Sequence, residues 1–226
     1  MILTQYPQVG YGGSNVTCDS YYQALVPSGP GISWSTMHDS GGGQIDIQPD
    51  NILLFVGWAT GSGYVSMARS SFTFDTSSIP VGSTINSVAL QLYVTTKNLG
   101  GYTHTPAFNI FGFSPISDNN VVGADWSHYG TIPFATAITF ASLATYAYNT
   151  WTFIAAGLAA INAGGVTRLC IRESNYDAPN IEPPMHYWDT WGVDMYAVDA
   201  GTSTRPILTI DYTPPVTFIP KIAFIF

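Results

Sequence analysis

Apolar and polar residues alternate along short segments of this chain, and turn-forming residues interrupt the alternation at frequent intervals. The clearest case is STINSVALQLYVTT, where Val88, Leu90, Leu92 and Val94 share one face and Ala89, Gln91 and Tyr93 the other. Period two describes a strand with one side in a core and one toward solvent, as in an antiparallel sheet. In GYVSMARSSFTFD, Ala68, Phe72 and Phe74 fall on one face with Ser70 between them. Further strands are predicted at Ala107–Phe113, Ile132–Phe140, Val166–Arg172 and Arg205–Thr213. Breaks rich in Gly, Ser and Asn at 61–63, 77–83, 98–101 and 162–165 separate them.

A single segment departs from this period. In FIAAGLAAINAGG, Ile154, Leu158 and Ile161 sit at helical spacing, alanine favours the helix, and Gly164 supplies a stop. Many short strands with one helix predict an all-β fold, an antiparallel β-sandwich of jelly-roll type with one short capping helix. No internal repeat or linker divides the chain, so residues 1–213 are expected to form one domain and 214–226 an apolar tail.

Composition narrows the function classes. Of 226 residues, 46% are hydrophobic and only 9% charged, against about 25% charged in an ordinary soluble domain. Ser, Thr, Asn, Gly and Tyr must therefore cover the surface, as suits a protein that packs against neighbours or faces sugar. Fourteen carboxylates against six Lys and Arg give a net charge of -8. That leaves no basic stripe for phosphates, so no nucleic-acid partner is expected, and no anionic membrane. No stretch approaches the ~18 apolar residues of a membrane span. The N-terminal MILTQYPQVGYGG lacks the regions of a secretory signal. The expected location is extracellular or on a virion surface, reached by lysis, by another export route or by processing.

Catalytic signals are thin. The sequence has no GxSxG elbow, phosphate loop or dinucleotide glycine fingerprint. A glycosidase needs two carboxylates across a cleft, and nothing in the sequence places Glu173 and Glu182 in that relation. The reading is therefore non-enzymatic. Cys18 and Cys170 lie in no zinc-type cluster and are read as either a long-range disulfide or two buried thiols. No cofactor is expected. A structural calcium is the one ion left open, with oxygens at Ser117–Asn120 and at Asp189, Asp194 and Asp199 but no known loop spacing.

The segment Glu173–Val193 is the most unusual, with prolines, aromatics and acids together. Tyr176, Asp177, His186, Tyr187, Trp188, Asp189 and Trp191 are its candidate glycan- or partner-binding residues. Aromatic faces stack on pyranose rings, carboxylates accept hydroxyl hydrogen bonds, and Trp and Tyr also anchor protein interfaces. The competing reading is a long loop over a sheet edge with its aromatics buried. Trp34, Trp58 and Trp126 are expected in the core, and Tyr93 points outward as the start of a platform. In the tail, Phe218, Ile219, Ile222, Phe224, Ile225 and Phe226 would aggregate if exposed. They are expected to be covered within their own domain or by strand addition to a neighbouring subunit.

Residues 68–95, ARSSFTFDTSSIPVGSTINSVALQLYVT, resemble the DNRLRE-type domain, a jelly roll related to carbohydrate-binding modules. SWSTMHDS resembles its opening strand and DWSHYGTI its mid-domain Asp-Trp. YNTWTFIAAGLAAINAGGVTRLCIR resembles its strand–helix–strand unit, and TRPILTIDYT its closing strand. The resemblance covers roughly residues 15–213. It implies a sugar-binding or surface module of the kind found in phage particles and extracellular proteins, without fixing a ligand residue. Within the motif, Asp75 is expected to accept N–H groups of the following turn, with Arg69 pairing with it or another carboxylate. Arg69, Phe74 and Asp75 are thus read as structural.

The expectation is a non-enzymatic structural or decoration subunit of an extracellular assembly, such as a virion capsid, fibre or surface filament. Its partners are further copies or other particle subunits, with surface polysaccharide as a compatible ligand. The alternative is a carbohydrate-binding module or adhesin acting as a monomer.

Overall fold

The computed structural model describes residues 1–8, 18–25, 31–39, 44–46, 51–59, 63–100, 105–184 and 190–216. In chain order the strands are β1 (Ile2–Gln5), β2 (Asp19–Leu25), β3 (Gln44–Asp46), β4 (Asn51–Ala59), β5 (Gly63–Asp75), β6 (Thr84–Leu99) and β7 (Ala107–Phe113). They continue with β8 (Tyr129–Pro133), β9 (Ile138–Thr139), β10 (Ala147–Thr152), β11 (Val166–Glu173), β12 (Thr190–Tyr196) and β13 (Ile207–Thr213). Two α-helices, α1 (Trp34–Asp39) and α2 (Ala155–Ala159), and 3-10 turns at Gly123–His128, Phe140–Ser142 and Val198–Ala200 complete the described elements.

Every described strand pair is antiparallel, and two long strands organise them into facing layers. β6 carries β10 along one edge, with β13 and then β12 along the other, while β1 pairs with β13. In the second layer β5 pairs with β2 and β11, β11 with β7, and β7 with β8 and β9. β4 pairs with both β12 and β5, so the ladder passes from one layer into the other. The fold is an all-β antiparallel sandwich, as the alternation predicts.

The core lies between the layers. Val88, Leu90, Leu92 and Val94 all point into it, none more than 2% exposed. Phe72, Phe74, Phe108, Ile110, Leu169 and Ile171 meet them from the second layer. The layers also touch through polar and aromatic contacts. Trp151 Nε1–H donates to the Phe108 carbonyl at 2.9 Å, and the Phe108 and Trp191 rings lie 6.3 Å apart. Trp34 and Trp126 are buried as expected.

Three local readings need correction. β5 is buried on both faces rather than one, because a second tier covers the face carrying Arg69, Ser71 and Thr73. The SWSTMHDS segment, likened to an opening strand, forms α1 instead. Ser33 Oγ accepts the Thr36 N–H at 3.2 Å, the geometry of a helix N-cap. α1 then packs on β5 and supplies part of that tier. Finally, the predicted strand Ile132–Phe140 is broken into the end of β8, the two-residue β9 and a 3-10 turn. Pro133 has no N–H to continue a ladder.

The predicted helix is present as α2, resting on β6 and β8. Ile161 is buried while Ile154 is 43% exposed. Gly157 is required there, since a Cβ would lie 2.2 Å from the Phe134 carbonyl oxygen. Cys18 and Cys170 are buried free thiols. Burial pushes both up to about 12.

Candidate functional site

The tier over β5 is held by a buried ionic cluster. β11 brings Arg172 beside Arg69 of β5, and the loop after β11 folds back to place Asp177 between them. Arg69 reaches Asp177 Oδ1 at 2.6 Å through Nη2, and Arg172 reaches Oδ2 at 2.8 Å through Nε and Oδ1 at 2.8 Å through Nη2. Burial alone would raise the Asp177 carboxyl, but the two guanidinium groups hold it well below the usual carboxylate range. The remaining donors tie in the neighbours. Arg69 Nη1 donates to the Trp126 carbonyl, and Arg172 Nη1 to those of Tyr129 and Gly130. The Arg69 guanidinium also lies 4.1 Å from the Trp126 ring centroid. Two of the chain's six Lys and Arg residues are thus interior.

This cluster decides the fate of several sequence candidates. Asp177, a candidate glycan ligand, is buried with both oxygens engaged by arginine. Tyr176 is half-buried and packs against the core, and its N–H is taken by Glu173. Glu173 is buried, with its carboxylate accepting backbone N–H groups of Ala107, Asn175, Tyr176 and Asp177. Trp191 is in the core at 1% exposure. His186, Tyr187, Trp188 and Asp189 lie outside the described residues, as do Phe218, Ile219, Ile222, Phe224, Ile225 and Phe226 of the tail. Phe74 is fully buried. Asp75 Oδ1 accepts the Ser77 N–H at 2.9 Å, while Arg69 pairs with Asp177 instead of Asp75. Among the proposed calcium oxygens, the Asp118 carboxylate pairs with Arg168, and Asp194 accepts from Thr96.

The surface that presents aromatics lies on the opposite layer. Tyr148 of β10 stands directly across from Tyr93 of β6, and Tyr196 of β12 flanks Tyr93 on the other side. Tyr93 and Tyr148 meet edge-on with centroids 5.3 Å apart, and Tyr93 and Tyr196 stack at 5.6 Å. Because β6 turns Leu92 and Val94 inward, the tyrosine row faces away from the core. The row is held by its hydroxyls. Tyr93 Oη donates to the Tyr146 carbonyl at 2.8 Å, and Tyr148 Oη approaches the carbonyls of Ser203 and Arg205 at 3.0 and 3.1 Å. Burial, helped by the Tyr6 phenol, raises the Tyr148 hydroxyl above its ordinary range.

Two features extend the row. Tyr146, in the turn before β10, is 73% exposed and adopts φ 55°, a left-handed conformation uncommon for a bulky residue. Arg205 stacks 3.4 Å above the Tyr6 ring. Polar groups flank the rings, with Gln91 bonded to Thr150 and Thr96 to Asp194. Tyr93 is legible in the sequence as an outward residue. Tyr148 and Tyr196 join it only through strand pairings that link residues far apart in the chain.

No model of a known protein family matches the chain, and no curated protein matches it significantly.

Proposed function

We propose that this chain is a non-enzymatic surface subunit of an extracellular assembly, a virion or surface filament, that contacts glycans through its tyrosine face. The observation that carries this reading is the row Tyr148–Tyr93–Tyr196 on an outward sheet face. Aromatic rings held by packing on one another, and in Tyr93 and Tyr148 by hydroxyl bonds, lose little entropy on contacting sugar. Flanking amide, hydroxyl and carboxylate groups suit sugar hydroxyls, and the net charge of -8 favours neutral over polyanionic chains. The test is retention on insoluble neutral polysaccharides, comparing wild type with Tyr93→Ala and Tyr196→Ala. Equal retention by all three proteins sinks the glycan reading.

Self-association is favoured by a separate observation. Met1, Ile2, Val81 and Val216 are 69, 74, 77 and 83% exposed. The Met1 amine bonds to Asp211 and Tyr212, and Pro215 lies beside Gly82, so these apolar residues gather at the end of the sandwich where β13 ends. Light scattering of the full chain against a version lacking 214–226 tests it. A concentration-independent monomer in both removes the assembly reading and leaves a monomeric glycan-binding module.

A further inference from the structure

Beside the ionic cluster, on the layer opposite the tyrosine row, the surface opens into a cleft of about 630 Å³. Its apolar lining is Phe111, Pro133, Ala178 and Pro179, and His38 also borders it. A smaller chamber of about 280 Å³ adjoins it, sharing His38 and Thr131. The volume is that of a small-molecule site.

The polar groups of this cleft are biased toward donation. Asn109 is 5% exposed, and its Oδ1 accepts the Ile110 N–H at 2.8 Å. Its amide nitrogen makes no hydrogen bond among the described residues, so a donor on a largely buried side chain is left at the lining of the cleft. Asn180 repeats the arrangement at the rim, where its Oδ1 accepts Trp34 Nε1–H at 2.9 Å and its NH2 is left over. Each amide is thus pinned by its oxygen and presents its nitrogen. Ser174 Oγ already donates to the Ala107 carbonyl. His38 is bonded to Asp39 and to the Asp177 carbonyl. Arg69 and Arg172 are engaged with Asp177 and neighbouring carbonyls, so a carboxylate or phosphate finds no uncommitted cation here.

We propose that this cleft binds an N-acetylated hexosamine residue, with its amide carbonyl accepting from Asn109 and Asn180. The acetyl methyl and the apolar ring face lie against Phe111, Pro133 and Pro179. Two amide donors lining one largely apolar cleft match a carbonyl acceptor better than sugar hydroxyls, which bring donors of their own. The site is independent of the tyrosine row.

The experiment is saturation-transfer NMR and calorimetric titration with N-acetylglucosamine and N-acetylgalactosamine, against glucose and galactose. Asn180→Asp keeps the acceptor for Trp34 and removes the donor. Thr131→Trp fills the cleft from an exposed rim position. The expected result is binding of one acetylated sugar, weakened about tenfold by Asn180→Asp, the upper range for one hydrogen bond, and abolished by Thr131→Trp. Melting temperatures stay unchanged. The proposal is overturned by Thr131→Trp-sensitive binding of the unacetylated sugars equal to that of the acetylated ones, by no millimolar binding of either acetylated sugar, or by full binding retained in Thr131→Trp.

Discussion

Arg69 and Asp177 are 108 residues apart in the chain, yet their side chains meet at 2.6 Å in a site where each is about 97% buried. The pair fastens the loop after β11 to the centre of β5, and through Trp126 and His38 it fastens the second tier as well. Removing one member of such a pair leaves a charge stranded in low dielectric. Asp177→Asn is therefore expected to cost about 3–5 kcal/mol, measured by urea unfolding. Asp75→Asn, which perturbs only a turn contact, should cost roughly 1 kcal/mol or less.

The same cluster sets the acid limb of stability. Asp177 is held below its unfolded value, so its contribution is complete above about pH 4 and is lost as pH falls through the folded value. Asp19 runs the other way. Burial raises it to about 7, although the Val198 N–H bonded to Oδ2 opposes the shift. Its contribution is complete below about pH 4 and is lost as pH rises toward 7. Melting temperature should therefore peak in mild acid, and Asp19→Asn should flatten the decline between about pH 5 and 8. An unchanged alkaline limb in Asp19→Asn would contradict this assignment.

Tyr146 holds φ 55° with its ring outward, and a left-handed non-glycine residue costs roughly 1–2 kcal/mol. Tyr146→Gly should raise the melting temperature by relieving that conformation. If the exposed ring belongs to the sugar-contacting face, the same variant should lose retention on polysaccharide. Higher stability with full retention would show that the ring is not part of the contact.

Gly157→Ala separates helix propensity from packing. Alanine is better by about 1 kcal/mol in an open helix, but here its Cβ would meet the Phe134 carbonyl at 2.2 Å and Phe153 Cδ2 at 2.7 Å. The expected outcome is destabilisation by about 1–3 kcal/mol in chemical denaturation.

Much of the sandwich is legible in the sequence because alternation reports burial directly. β6 shows this, and β7 falls on the predicted Ala107–Phe113. The polar face of β5 is not legible in that way. Arg69, Ser71 and Thr73 form a polar row with no apolar pattern to report burial, and α1, Trp126 and the loop after β11 put them inside. Asp177 is misleading for the same reason. Its composition suggests a sugar ligand, while its partners lie on β5 and β11. The tyrosine row is hidden because its rings come from β6, β10 and β12, and only Tyr93 lies in a segment with clear alternation.

The placement of β13 has a consequence for synthesis. It is the last described strand in the sequence, yet it sits between β1 and the first half of β6. As the chain emerges from the ribosome, those two edges stay without their partner until nearly the whole domain has been made. β6 then presents a half-open ladder rich in β-branched residues for most of translation, the state in which strands join the wrong neighbour. Crowded nascent chains on one message are thus the setting in which this sandwich is most exposed to misassembly, and slowing translation before β13 should raise the insoluble fraction.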